Sequence, residues 1–178
     1  GHGTGDDVLC HTAVSLLSCV REIDTVARLG GDEFAILLEE TERNAFAARV
    51  AKRIYATLNQ SFRVSGREIS VGASIGIVLK AEGYSSADDI LRDADIAMYR
   101  AKTDRGIGYK VFTRKMREET LENVLFETDL RQGLNAREFR IDYQPIVRMK
   151  TGRLFGFEAL LRWTRNGGAV SPSSFIPM

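Results

Sequence analysis

The run Arg28-Leu29-Gly30-Gly31-Asp32-Glu33-Phe34 carries the densest chemistry in the chain. Two glycines leave a turn bare, so a bulky ligand can approach the backbone. Two acids follow at once. Successive strand residues point to opposite faces, so both reach one site only if the turn twists them. One carboxylate is free to hold a hard cation such as Mg²⁺. Taken alone, these residues also describe a surface hairpin with solvated acids, which is the commoner case. A second charged group lies just upstream in Arg21-Glu22-Ile23-Asp24, and Arg49 and Arg53 sit one helical turn apart further on.

The elements that must position these residues follow from periodicity. Asp7 to Val20 predicts a helix, with Asp6 and Asp7 at its positive end. Gly1 to Asp6 reads as a glycine-rich turn before it. Thr25–Leu29 and Asp32–Leu38 predict a hairpin joined by Gly30-Gly31. From Phe34 onward the second run is apolar on both faces, as in a strand inside a layered domain. Glu42 to Asn59 predicts a helix with Phe46, Val50, Ile54 and Leu58 on one stripe. Ile69 to Leu79 alternates cleanly as one strand, its small face (Ser70, Gly72, Ser74, Gly76) open to close packing. Phe62–Val64 pairs with its start. Ala87 to Thr103 predicts a helix capped by Ser86, with Ile90, Leu91, Ala94, Met98 and Ala101 inward. Tyr109–Phe112 closes the pattern, and alternating strands and helices make this part α/β. Thr113 to Ala136 is charged and helical. Phe139–Val147 and Leu154–Trp163 are strands joined at Thr151-Gly152.

Composition narrows the class. The chain has 178 residues, 44% of them hydrophobic, with a net charge of +1. That balance argues for neither a nucleic-acid nor a membrane partner. No apolar run reaches membrane-span length, and no signal peptide opens the chain. Cys10 and Cys19 lie roughly 13 Å apart at about 1.5 Å rise per helical residue, too far for a disulfide within that helix. Free thiols fit a reducing cytosol. The glycine-rich start without methionine, and an end at Ser171–Met178 where a helix is about to begin, predict an excerpt of something longer.

The hairpin resembles the signature of GGDEF-family diguanylate cyclases. Gly1-His2-Gly3-Thr4-Gly5-Asp6 is similar to the family's GHxxGD motif, Ser74-Ile75-Gly76 to its SxG strand, and Ala94–Lys102 to its ADxAMYxAK helix. The resemblance implies a nucleotidyl-cyclase-like α/β sandwich with a central, largely antiparallel sheet. It also implies condensation of two GTP into cyclic-di-GMP and pyrophosphate, with Mg²⁺ or Mn²⁺ as cofactor. By motif position, Asp32 would ligate the metal beside the reacting hydroxyl, and Glu33 would support the metal or deprotonation. Gly30 and Gly31 would let the nucleotide lie on the hairpin. Asp6 would accept from the guanine edge, and Lys102 would neutralise terminal phosphates. The family's usual Gly-Arg-Asn after this helix is replaced by Thr103-Asp104-Arg105-Gly106, so Arg105 would hold phosphate from a shifted place. The family's other metal aspartate and a guanine-binding asparagine are expected upstream of Gly1.

Arg21–Asp24 is similar to the family's RxxD inhibitory motif at its usual spacing, which implies product binding with Arg49 and Arg53 completing the clamp. The alternative is an Arg–Asp surface pair of little energetic weight. The C-terminal stretch, with Tyr143-Gln144-Pro145, Gly156–Trp163 and Ser171–Pro177, resembles the opening of EAL phosphodiesterases on a (β/α)8-type barrel. There Glu158 would be a metal ligand at a strand end, with Gln144 and Arg162 touching substrate. The remaining ligands and strands are expected beyond Met178. The expected division is a GGDEF domain at 1–112, an interdomain helix at 113–136 and the start of an EAL domain at 137–178.

Three functions follow: a cyclase with product inhibition, a GTP- or product-regulated phosphodiesterase, or a non-catalytic cyclic-di-GMP receptor. GTP and cyclic-di-GMP are the implied partners. Each GGDEF domain handles one GTP, so a homodimer is required. The resemblance places the chain in the cytoplasm, or in the cytoplasmic part of a membrane-anchored sensor, and the chain by itself is expected to be inactive.

Overall fold

The computed structural model describes residues 2–39, 44–64, 66–104, 108–165 and 167–176. They form two compact units, Gly1–Arg117 and Glu118–Met178. Both mix helices and strands, and four of the five strand ladders among the described residues are antiparallel.

In the first unit, α1 (His2–Ser18) packs with α2 (Asn44–Leu58) over the hairpin β1 (Thr25–Gly30) and β2 (Glu33–Leu37). Leu16, Cys19, Val50, Ile54 and Leu58 are the buried centre, with Val26, Phe34 and Ile36 against them. The α2 stripe is the expected one. The start of α1 is not: the GHxxGD segment is helical rather than a turn, and no acid lies in the first turn. Asp6 and Asp7 therefore do not cap the dipole; they fall in the second turn. The strand β2 also differs from expectation, because Leu37 is 59% exposed and only one face of the hairpin meets the helices.

The long strand expected over 69–79 is two short ones. β3 (Phe62–Val64) pairs antiparallel with β4 (Arg67–Ile69), and β5 (Ile75–Ile77) pairs parallel with β6 (Tyr109–Val111). Residues 70–74 join no ladder. Serine and glycine there have little to pack on a pleated surface, and Gly72 weakens the run. A parallel pair needs a crossover, which α3 (Ala87–Thr103) supplies. Ser86 caps α3 by accepting from the Asp89 amide at 3.2 Å. Gly76 lets α3 lie against β5: a Cβ there would stand 1.8 Å from the Ala94 carbonyl oxygen. The buried face of α3 is Asp93, Ala97 and Ala101, whereas Leu91 is 41% exposed, contrary to the expected stripe.

Asp93 is fully buried. It accepts from the Tyr84 hydroxyl at 2.6 Å and from Arg117 Nε at 2.9 Å, and it pairs with Arg117 Nη2. Burial pushes its carboxyl up, but these donors outweigh burial and the net direction is down. Arg117 lies in α4 (Arg114–Asn135), a 22-residue helix that contains the boundary between the two units.

In the second unit, β7 (Phe139–Val147), β8 (Leu154–Arg165) and β9 (Gly168–Val170) form an antiparallel sheet followed by the short α5 (Pro172–Phe175). Trp163 is its centre, 1% exposed, in ring contact with Phe126, Phe139 and Phe175. Its indole N–H donates to Glu138 Oε2 at 2.9 Å, which satisfies the one polar atom that burial would strand. Helix α4 ends in a Schellman arrangement with Arg137 at φ 59° and Glu138 N–H donating to the Gly133 carbonyl at 3.0 Å. No closed barrel forms among the described residues, and none of their helices is long and apolar enough to cross a membrane.

Candidate functional sites

The β1–β2 turn is displaced one residue from the sequence expectation. Gly30 belongs to β1 and pairs with Glu33, and the two turn residues are Gly31 and Asp32. Gly31 has φ +51°, the sign that primed hairpin turns require at the first turn position. A register shift between Arg28 and Gly30 sharpens the local twist. Arg28 Nε and Nη2 both donate to the Gly31 carbonyl, at 3.0 and 2.8 Å. This brace ties the turn to its own strand, and sequence reasoning did not assign Arg28 a role. Its signal was its place two residues before the paired glycines.

The turn and the start of α1 border an open, shallow cleft of about 720 Å³, lined by Thr4, Gly5, Asp6, Val8, Leu9, Arg28, Gly31 and Asp32. The structure therefore brings Asp6 and Asp32 to one open cleft, although 25 residues separate them in the chain. Glu33 and Gly30 do not line it. Glu33 lies in β2 and is exposed. Lys102 is an exposed residue in the last turn of α3 and is not among the lining residues. Arg105 lies outside the described residues.

A second cluster surrounds Asp24, whose side chain is fully buried. Its Oδ2 accepts from the Arg21 amide (2.8 Å) and Arg21 Nε (3.2 Å). Its Oδ1 accepts from Arg21 Nη2 (2.9 Å) and the Glu39 amide (3.1 Å). The Arg21 side chain is the main reason the carboxyl falls from its ordinary 3.8 to about 2, against burial, which raises it. Arg21 Nη2 also donates to the Glu39 carbonyl. The Arg21 guanidinium lies 4.7 Å from the Phe46 ring centre and that of Arg49 5.9 Å from it. Arg53 Nη2 donates to the Cys19 carbonyl at 2.5 Å. Arg21, Asp24 and Arg53 thus gather just past the end of α1, and Arg49 joins Arg21 at Phe46, a platform that sequence reasoning had used only as core.

In the second unit the ladder places Gln144 opposite Glu158 and Arg140 opposite Arg162. Directly paired residues share a face, so Arg140, Asp142, Gln144, Glu158 and Arg162 all project from one side of the sheet. Phe139, Ile141, Tyr143, Phe157, Leu161 and Trp163 take the other. Gln144 and Glu158 are exposed, and Arg162 is half-buried.

Among the described residues, no three or more His, Cys, Asp or Glu side chains converge as a metal cage. Mg²⁺ needs no such cage, because it keeps waters and leans on one or two carboxylates plus substrate phosphates. Asp32 at the turn tip and Glu158 on the polar face supply hard oxygens of that kind. Cys10 and Cys19 are both unbridged.

Comparison with known proteins gives these arrangements a family. The model of the diguanylate cyclase GGDEF domain matches residues 1–106, and that of the EAL domain matches residues 127–178. The bifunctional diguanylate cyclase/cyclic di-GMP phosphodiesterase MucR of Pseudomonas aeruginosa is 38% identical over the whole chain. The cyclic di-GMP phosphodiesterase PdeR of Escherichia coli is 36% identical over 99% of it. The chain spans 26% of the length of each. The solved GGDEF domain of TpbB (YfiN) from Pseudomonas aeruginosa superposes with a TM-score of 0.62 at 37% identity, over 68% of this chain and 71% of that one. The chain belongs to the GGDEF family, and it continues into the opening of an EAL domain.

Proposed function

We propose that the chain acts in cyclic-di-GMP metabolism and that its first unit supplies one GTP-handling half of a diguanylate cyclase. The observation that carries this reading is the cleft that joins Asp6 to Gly31 and Asp32. The bare Gly31 backbone leaves room for a nucleotide, and a Cβ there would in any case be strained at φ +51°. Asp6 would accept from the guanine edge, and Asp32 would face the phosphates. Arg28 would keep the turn from opening under load. A divalent cation, when bound, would neutralise charge at the phosphates. Glu33 would support that metal or proton transfer, Gly30 would let the hairpin twist, and Lys102 and Arg105 would serve the outer phosphates. The reaction joins two GTP, each 3′-hydroxyl attacking the other's α-phosphorus and expelling pyrophosphate, so two such domains must meet. The GGDEF part is assigned to 1–112, the connecting helix to 113–136 and the EAL part to 137–178. Full-length protein incubated with GTP and Mg²⁺ should form cyclic-di-GMP, and Asp32→Ala should abolish it. Turnover that survives Asp32→Ala would refute the assignment.

Product binding at Arg21, Asp24, Arg49 and Arg53 is supported by the shared Phe46 platform of Arg21 and Arg49, the Arg21–Asp24 pair and the reach of Arg53 to the Cys19 carbonyl. Calorimetry with cyclic-di-GMP tests it, and unchanged affinity in Arg49→Ala and Arg21→Ala would end it.

A second reading is favoured by the shared face of Gln144, Glu158 and Arg162. Here the dominant activity is hydrolysis of cyclic-di-GMP, with Glu158 holding a metal ion, Gln144 and Arg162 binding substrate, and the first unit regulating it. Persistence of cyclic-di-GMP in the presence of the full-length protein and Mg²⁺ would exclude this reading.

A further inference from the structure

Arg140 and Arg162 are register partners on the polar face of β7–β8. Two like charges directly opposite one another repel across a ladder. Asp142 lies two residues along β7, diagonal to Arg162, and bridges both. Its Oδ1 accepts from Arg140 Nε at 3.1 Å, and its Oδ2 pairs with Arg162 Nε at 3.2 Å. Arg162 Nη1 donates to the Leu161 carbonyl at 3.3 Å. These contacts hold the guanidinium at Nε and at Nη1, on different edges, and Arg162 Nη2 has no partner among the described residues. Arg140 Nη1 is engaged too, with Thr164 Oγ1 at 3.3 Å.

We infer that Asp142 is a positioning residue: it grips Arg162 by Nε so that the Nη2 edge is presented to a phosphate oxygen of the ligand bound on the Gln144–Glu158 face. The inference rests on the phosphodiesterase reading of that face. A planar guanidinium binds phosphate best when its plane is held, and the ion pair at Nε together with the Nη1 hydrogen bond holds it while leaving the Nη2 hydrogens for a phosphate oxygen. Asp142 and Arg162 are 44% and 35% exposed as side chains, so the pair adds little to stability. Its removal therefore acts mainly on ligand binding, with only a small fall in melting temperature from the Arg140–Arg162 repulsion it no longer offsets.

The test is a double-mutant cycle on the full-length protein, with KM and kcat for cyclic-di-GMP hydrolysis as readouts. Asp142→Ala should raise KM about fivefold with kcat changed less than twofold, and Asp142→Glu should recover most of the loss. In an Arg162→Ala background, Asp142→Ala should change KM less than twofold. An equal effect of Asp142→Ala in both backgrounds overturns the inference, as does an unchanged or lowered KM in the single variant. A full-strength Arg162→Ala enzyme overturns the underlying reading of the face instead, so the two failures are distinct. Melting curves of all variants identify loss of fold, and Asp142→Glu then carries the test.

Discussion

Removing the Arg21 guanidinium tests whether Asp24 is the knot that ties the end of α1 to the end of β2. The carboxylate has a fully buried side chain and four contacts, three from Arg21 and one from the Glu39 amide. The fall of its pKa from 3.8 to about 2 corresponds to about 2 kcal/mol at roughly 1.4 kcal/mol per pKa unit. The Arg21 side chain is 40% exposed, so solvent screening trims this to about 1–2 kcal/mol. The sign follows from linkage. A depressed folded pKa means a contribution fully present above 3.8 and lost as pH falls through about 2. In Arg21→Ala the backbone amides of Arg21 and Glu39 remain while burial still opposes the charge. The Asp24 carboxyl titration, followed by carbon NMR, should therefore move back from about 2 toward 3.8. Urea unfolding followed by circular dichroism should show the variant weaker by about 1–2 kcal/mol at pH 7, the gap closing between pH 4 and pH 2. A midpoint that stays near 2, or a gap as wide at pH 2 as at pH 7, would refute the knot. Arg49→Ala separates knot from ligand site: among the described residues Arg49 meets the cluster through the Phe46 ring alone, so Asp24 should titrate as in the parent.

Three further outcomes follow from packing and charge. Gly76→Ala should destabilise the first unit by about 2 kcal/mol or more, measured by urea unfolding, because the new Cβ meets α3 backbone at 1.8 Å and neither element can yield cheaply. Trp163→Ala should cost the second unit about 3–5 kcal/mol and expose Phe139 and Phe175, read as lost cooperativity in thermal unfolding. Asp93→Asn should speed amide hydrogen exchange at residues 114–120, since Arg117 and Tyr84 lose their common acceptor, while exchange in α2 stays as in the parent.

Much of the second unit was legible because its physics is local. The alternation in Phe139–Val147 and Leu154–Trp163 dictates two faces, and the turn at Thr151-Gly152 sets which residues oppose. Gln144, Glu158 and Arg162 share a face for that reason alone. The α2 stripe and the Ser86 cap were readable on the same terms. Three features were not. The run Ile69–Leu79 alternates like one strand, but pairing needs a partner of matching length, and β3 and β6 offer three residues each. Asp93 reads as a solvated charge until Arg117 and Tyr84 arrive from distant segments to satisfy it. The GHxxGD glycines read as a turn, yet α1 runs through them although Gly3 and Gly5 face open space, because adding a residue to an existing helix is far easier than starting one.

The hairpin Gly30-Gly31-Asp32-Glu33 shows the division most clearly. Residue types alone determined that a bare turn and hard oxygen donors would coincide, since glycine permits close approach and carboxylates bind hard cations whatever surrounds them. They could not say which acid would face the ligand. The one-residue displacement of the turn, the bulge beside Arg28 and the docking of α1 decided that Asp32, and not Glu33, shares a cleft with Asp6. Side-chain direction in a hairpin reverses with every residue of register, and register is set by packing across the whole unit.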